Sequence, residues 1–262
     1  FAQRYDASGA ALGGEFMVNT YTSSSQYEPS VSGVEGGGFV VVWRDDSGHG
    51  GGSGGDIRGQ RFAANGDKVG AEFRVNTNKS GNQYQPMVAG LDGVGDAVGG
   101  FVVAWTDPNG QGGGSSNDVW AKVYNADGTP AEVDDENGNA TEVEFRVNHN
   151  HKSGSQYWPS VAALDNGKFV VAWRNDQGGS HDDGTGVGSS YDVWARVFNA
   201  DGSQVTNEFR VNSHVSSYQY EPSVSGLGDG GFLVSWSSNN QDGSGYGVYA
   251  QRYNASGARV GE

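Results

Sequence analysis

One phrase recurs four times along this 262-residue chain, and that recurrence limits the folds open to it more than any other feature. Glu-Phe-x-Val-Asn stands at Glu15–Asn19, Glu72–Asn76, Glu144–Asn148 and Glu208–Asn212, at spacings of 57, 72 and 64 residues. Each copy is followed by Gln-Tyr-x-Pro (Gln26–Pro29, Gln83–Pro86, Gln156–Pro159, Gln219–Pro222). An aromatic run comes next (Phe39–Trp43, Phe101–Trp105, Phe169–Trp173, Phe232–Trp236), then a fourth segment (Ile57–Phe62, Val119–Tyr124, Val193–Phe198, Val248–Tyr253). The segments are short, rich in Val, Phe, Tyr and Trp, and separated by turn residues, which is the signature of strands. Gly or Pro interrupts every long window, so no helical period survives.

The aromatic run is apolar on both alternating faces, so it must lie between two other layers. The fourth segment alternates more and is expected nearer the outside. Four small sheets, each flanked by its own copies, is what a propeller supplies. The expected fold is therefore all-β: a four-bladed β-propeller of four-stranded antiparallel sheets. It is read as one domain over 1–262, with repeats at about 15–71, 72–143, 144–207 and 208–262, and a duplicate fourth strand and turn in 1–14. Phe1–Tyr5 and Val248–Tyr253 then compete for one place in the ring. Together with a start in mid-strand, this points to a longer parent chain with further repeats.

The 45 glycines are turn formers under this reading, and seven Trp set the chain apart from a disordered one. A net charge of −15 argues against nucleic acid and against anionic membranes, whose phosphates need a basic surface. Cysteine is absent, which excludes disulfides and thiolate metal sites. No run approaches 18 apolar residues, so no membrane insertion is expected.

Loop length chooses the working face. Tight turns such as Asp165-Asn166-Gly167 and Asn125–Gly128 share one end. The long loops, and His49, His149, His151, His181 and His214, share the other. Long loops in compact domains are commonly functional. The insertions 92–100 and 131–143 interrupt the tight end and read as tolerated surface additions.

On the working face, the loops after each Trp carry Asp45, Asp46 and Asp56; Asp107, Asn109 and Asp118; Asp176, Asp182, Asp183 and Asp192; and Asp242. Hard oxygens on glycine-flexible loops suit calcium (Ca2+), although Asp and Gly also form ordinary turns and no loop has the full EF-hand spacing. His149 and His151 stand on one side of an extended chain, either as a transition-metal pair or as a solvated loop pair. Tyr27, Tyr84, Tyr157 and Tyr220 recur beside Pro, with Trp158 added once. They either stack sugar rings or pack between blades. Asn78-Lys79-Ser80, Asn139-Ala140-Thr141 and Asn254-Ala255-Ser256 fit the N-glycosylation pattern.

No serine elbow, His-Glu-x-x-His, phosphate loop or Cys nucleophile is present, so no catalytic residue is assigned. Paired carboxylates of a glycosidase remain open among 31 acidic residues.

The succession Glu-Phe-x-Val-Asn, Gln-x-x-Pro-x-Val, Gly-Phe-x-Val-x-Trp, Gln-Asp-Gly-Ser-Gly and Val-Tyr-Ala-Gln-Arg-Tyr-Asn-Ala-x-Gly, closest in residues 232–257, resembles repeats of large secreted bacterial calcium-binding, RTX-type exoproteins and adhesins. It is more distantly similar to propeller lectins. The resemblance implies an extracellular location and calcium-dependent folding outside the cell. The first three copies depart from Gln-Asp-Gly-Ser-Gly, which puts a transfer of calcium ligands onto them in doubt. The favoured expectation is a non-catalytic, calcium-binding adhesion or lectin module whose partner is carbohydrate or a cell-surface glycan. The alternatives are a polysaccharide-active enzyme with carboxylates at the propeller mouth, and a structural spacer.

Overall fold

The computed structural model describes residues 1–52, 54–93, 99–108, 117–134, 140–142, 144–150, 154–165, 167–176 and 191–261. Every element among them is a strand. The first sheet runs β1 (Gln26–Gly33), β2 (Phe39–Asp45), β3 (Asp56–Phe62), β4 (Lys68–Arg74). The second comprises β5 (Tyr84–Gly90), β6 (Phe101–Asp107) and β7 (Asp118–Tyr124). A two-stranded ribbon of β8 (Val133–Asp134) and β9 (Ala140–Glu142) follows, before the sheet's last strand β10 (Phe145–Arg146). The third runs β11 (Ser155–Leu164), β12 (Lys168–Asp176), β13 (Asp192–Asn199), β14 (Phe209–Arg210). The fourth runs β15 (Gln219–Gly226), β16 (Phe232–Asn239), β17 (Tyr246–Tyr253), β18 (Arg259–Val260). All pairings within the sheets are antiparallel. These four sheets are the blades of a four-bladed propeller. Its inner strands stand side by side, β1 against β5, β5 against β11 and β11 against β15.

Alternation along β2, β6, β12 and β16 gives each blade two unlike faces. One face is aromatic. Phe39 stacks on Phe62, Phe101 on Tyr124, Phe169 on Phe198 and Phe232 on Tyr253, with centroids 4.8, 4.6, 5.1 and 5.1 Å apart. The other face is aliphatic. The aliphatic face of one blade packs on the aromatic face of the next, as Val40, Val42 and Ile57 do against Val103, Trp105 and Trp120. The same arrangement joins the second blade to the third and the third to the fourth.

The recurring phrase makes this join specific. Its Phe belongs to one blade and packs on the stacked pair of the next: Phe73 on Tyr124, Phe145 on Phe198, Phe209 on Tyr253, at 5.4, 5.2 and 5.3 Å. Its Glu reaches the other way. Glu72 accepts the N–H of Thr20, Glu144 that of Thr77 and Glu208 that of Asn150. Lys122 and Arg196, both buried, donate to the carbonyls of Val75 and Val147 in the preceding phrase. The sequence reading opens each repeat with this phrase, whereas the hydrogen bonding makes it close the sheet before: Phe145 is opposite Ala121 and Phe209 opposite Ala195. The fourth segment is thereby covered on its outer edge. Strand β7 is buried along its whole length, not half-exposed as alternation suggests.

The two ends differ from the competition expected between them. Phe1–Asn19 forms a hairpin through bridges Ala2–Phe16 and Tyr5–Ala11, and its Ala2, Phe16 and Val18 pack on the aromatic face of the first blade. The fourth blade has its own last strand, β18. The aliphatic face of that blade is open: Val248 is 83% exposed, against 0% for its counterparts Ile57, Val119 and Val193. No helix long and apolar enough to cross a membrane occurs among the described residues.

Candidate functional site

The inner strand of every blade breaks register at the same place. The shifts fall at Tyr27/Ser30, Tyr84/Met87, Tyr157/Ser160 and Tyr220/Ser223, across the x-Pro pair of Gln-Tyr-x-Pro. Proline has no N–H to donate, so the ladder cannot continue through it, and a bulge results. The residue before the proline absorbs the turn. Glu28, Gln85, Trp158 and Glu221 all take φ between 52° and 57°. This left-handed conformation is unfavourable for a residue with a Cβ by about 1–2 kcal/mol. The same strain is repeated on all four inner strands, at the end where the long loops lie, and strain of this kind concentrates at functional sites.

Three of these positions are joined from blade to blade. The Gln85 N–H donates to Glu28 Oε2 at 2.6 Å, and the Trp158 N–H donates to Gln85 Oε1 at 3.0 Å. Thr106 Oγ1 donates to the same Gln85 oxygen. Glu28 and Glu221 are exposed there. Between the second and third blades, the Tyr84 hydroxyl donates to Asn117 Oδ1, and Asn117 Nδ2 donates to the Tyr157 hydroxyl at 2.8 Å. Burial, with the neighbouring Tyr157, pushes the Tyr84 phenol up to about 12.

Between the third and fourth blades the arrangement is aromatic. The Arg174 guanidinium lies 4.7 Å from the Tyr157 ring, 4.3 Å from Trp158, 4.4 Å from Tyr191 and 5.5 Å from Tyr220. Tyr191, Tyr218, Tyr220 and Tyr246 continue this surface, with centroid separations of 5.1–5.9 Å. The positions matching Tyr191 in the first two blades are Gly55 and Asn117, and those matching Arg174 in the second and fourth are Thr106 and Ser237. The cluster is therefore built once, on a frame that repeats four times.

The structure brings Tyr84, Tyr157, Trp158 and Tyr220 together through these contacts. Tyr27 is exposed and lies under Arg44, 5.7 Å from its ring. His149 is partly buried at the end of the third phrase, and His49 stacks on Tyr21. Asn109, His151, His181, Asp182 and Asp183 lie outside the described residues.

The acids of the loops after Trp are held internally. Asp56, Asp118 and Asp192, each buried, accept from Asn76, Asn148 and Asn212 at 2.8, 2.8 and 2.6 Å. The same Asn side chains accept the N–H of Ile57, Val119 and Val193. Asp45 accepts from both the N–H and the hydroxyl of Ser47, and Asp107 from Asn78. Asp46 pairs with Arg44 at 2.8 Å. Burial raises the Asp176 carboxyl, with the nearby Arg174 charge pulling the other way. Asp242 caps its own turn through Ser244 N–H. Among the described residues no group of three or more His, Asp or Glu side chains converges as metal ligands do.

Glu28, Gln85, Glu221, Arg174 and Tyr191 are site residues that the sequence reading does not single out. The signal present was the variable x before each proline, the only position of Gln-Tyr-x-Pro that changes.

No protein-family model and no curated protein sequence matches the chain. Solved structures match it over most of its length. An α-L-arabinanase from Penicillium chrysogenum, complexed with arabinobiose, is 14% identical with TM-score 0.53, covering 92% of this chain and 67% of the enzyme. An α-L-arabinofuranosidase from Fusarium graminearum, complexed with an iminosugar inhibitor, is 11% identical with TM-score 0.55 and the same coverage. An N-acetylgalactosamine deacetylase from F. plautii, complexed with blood group B trisaccharide, is 12% identical with TM-score 0.50, covering 94% and 72%. At these identities the likeness establishes the fold, which is that of propellers used by carbohydrate-active proteins. It corrects the favoured expectation of a non-catalytic module: the structures sharing this frame are named as enzymes.

Proposed function

We propose that this chain is a polysaccharide-active enzyme that cleaves glycosidic linkages at the mouth of the inner strands. The observation that carries this reading is that Glu28 and Glu221 are exposed carboxylates on the strained pre-proline positions of the first and fourth inner strands, with Glu221 next to an aromatic cluster that occurs once. Glycoside cleavage needs two carboxyl groups flanking the bond: one protonates the leaving oxygen, while the other activates water or attacks the anomeric carbon. Glu28 is oriented by the Gln85 N–H. Glu221 makes no hydrogen bond or ion pair to the described residues and is free to follow a substrate. Trp158, Tyr191 and Tyr220 offer the apolar faces that sugar rings stack on. The fold shared with the arabinanase and the arabinofuranosidase supports the reading. Incubation with a panel of plant, algal and bacterial polysaccharides, followed by an assay for new reducing or unsaturated ends, tests it. Release that is lost in Glu221→Gln is the expected result, and no release from any polymer overturns the reading.

Calcium in the loops after each Trp and a location outside the cell are proposals resting on loop chemistry and on the repeat resemblance. A ligand bound only by the folded state raises its melting temperature, so chelation lowers it under the calcium proposal. An unchanged melting temperature overturns that proposal.

A further inference from the structure

We propose that Arg174 reads an acidic group on the saccharide, so that the polymer taken at this mouth carries carboxylate or sulfate substituents. The inference deepens the saccharide reading above and rests on it.

The first blade supplies an internal comparison. Arg44 and Arg174 occupy the same position after the Trp of their blades, opposite Tyr27 and Tyr157, and each has an aspartate two residues on. Arg44 spends its charge on that aspartate, with Nε 2.8 Å from Asp46 Oδ1. Arg174 does not: among the described residues no carboxylate lies within ion-pair distance of it, Asp176 included. Four aromatic rings at 4.3–5.5 Å hold it instead. Its Nε is buried with no hydrogen-bond partner. A guanidinium with no carboxylate in direct contact is costly to keep partly buried, and ring faces recover only a part of that cost. With Nε enclosed, the terminal N–H groups of the guanidinium are the ones a saccharide substituent would meet. Those groups form a fork that matches a carboxylate or a sulfate ester.

The surroundings suit a sugar that carries such a group. Trp158 and Tyr220 provide stacking faces, and the carboxylates proposed for cleavage stand at the equivalent bulges of the first and fourth blades. The net charge of −15 repels polyanions at a distance, but at physiological salt that repulsion is screened within about 8 Å. Contact chemistry then decides. A neutral oligosaccharide leaves Arg174 as it is, whereas an acidic one supplies the direct carboxylate or sulfate contact of the kind Arg44 already makes with Asp46.

Calorimetric titration of the whole chain with three oligosaccharides of equal length, one neutral, one uronate-containing and one sulfated, tests the assignment. The acidic oligosaccharides are expected to bind at least 10-fold more tightly than the neutral one. Arg174→Met should bring them down to the neutral level, and Arg174→Lys should restore part of the difference. Uronate preferred over sulfate, or the reverse, identifies the acidic group. Equal binding of neutral and acidic sugars by the unaltered chain overturns the inference, as does a preference that survives in Arg174→Met. If Arg174→Met does not fold, the wild-type comparison and Arg174→Lys still decide. Sugar binding with acidic preference but without cleavage overturns the catalytic reading alone, and no binding of any saccharide overturns both.

Discussion

Asn148 Nδ2 donates to Asp118 Oδ1 at 2.8 Å, and Asn148 Oδ1 accepts the N–H of Val119, the next residue along β7. One buried amide thus ties the end of a phrase to the start of a third strand. Its Nδ2 also donates to Gln156 Oε1 at 2.9 Å, drawing in the inner strand of the next blade. Asn148→Ala leaves a buried carboxylate oxygen and a buried N–H without these partners, each costing about 1–3 kcal/mol. Urea unfolding of the variant should show a loss of about 2–5 kcal/mol. Asn76→Ala and Asn212→Ala, which break the same contacts in their own blades, should fall in the same range.

Asp118 and Glu144 share one direction of titration. Burial raises both carboxyls above their ordinary values of 3.8 and 4.5. The folded chain therefore binds protons more readily at these two groups than the unfolded chain does. Their contribution to stability is fully present below the ordinary values and is lost as pH rises through the raised ones. Melting curves between pH 7 and 4 should show Asp118→Asn/Glu144→Gln gaining less on acidification than the parent. An identical pH slope in the two proteins would remove the assignment.

The strained bulges set stability against activity. Glu221→Gly puts a residue that tolerates positive φ where φ is 52°. Relief of about 1 kcal/mol is expected, seen as a higher melting temperature, together with loss of polysaccharide cleavage. Glu221→Gln and Glu28→Gln keep the strain, so their melting temperatures should stay within a degree or two of the parent. Their turnover should fall by about 100-fold or more, as general acid–base groups commonly contribute on the order of 10²–10⁴.

Val193 and Val248 hold the same place in successive blades, yet one is fully buried and the other 83% exposed. Val193→Asp places an unpaired charge in a packed interface and should prevent folding or cost more than about 3 kcal/mol. Val248→Asp should change stability by about 0.5 kcal/mol or less. A large loss at Val248 in thermal unfolding would show that its face is covered in solution.

The blades were legible because each demand recurs. A core strand apolar on both sides must be flanked by copies of itself, and four phrases at comparable spacing supply them. The phase of the repeat was harder to read. Phe73 belongs to one sheet and packs on the rings of the next, so its two allegiances cannot be separated along the chain. The site was only half visible. Tyr157, Trp158 and Tyr220 stood out by type, but Arg174 and Tyr191 are remote in sequence and meet only through strand register. A strand-start Asp held by a distant Asn, as Asp118 is by Asn148, is in one dimension indistinguishable from a loop Asp. Glu28 and Glu221 were overlooked for a related reason: nothing in Tyr-Glu-Pro announces a left-handed residue.

The open face of the fourth blade also shapes how the molecule comes apart. Each interior blade is held on two sides by phrases that touch only their neighbours, as in a linear array whose units unfold by nearest-neighbour rules. The fourth has one such neighbour. Its amides, along β16 and β17, are the ones that should exchange with solvent deuterium first, and protection should then be lost blade by blade toward the Trp105 and Trp173 cores. The sheet carrying Glu221 is thus the loosest of the four, while Trp158 and Arg174 stand on a sheet clamped from both sides.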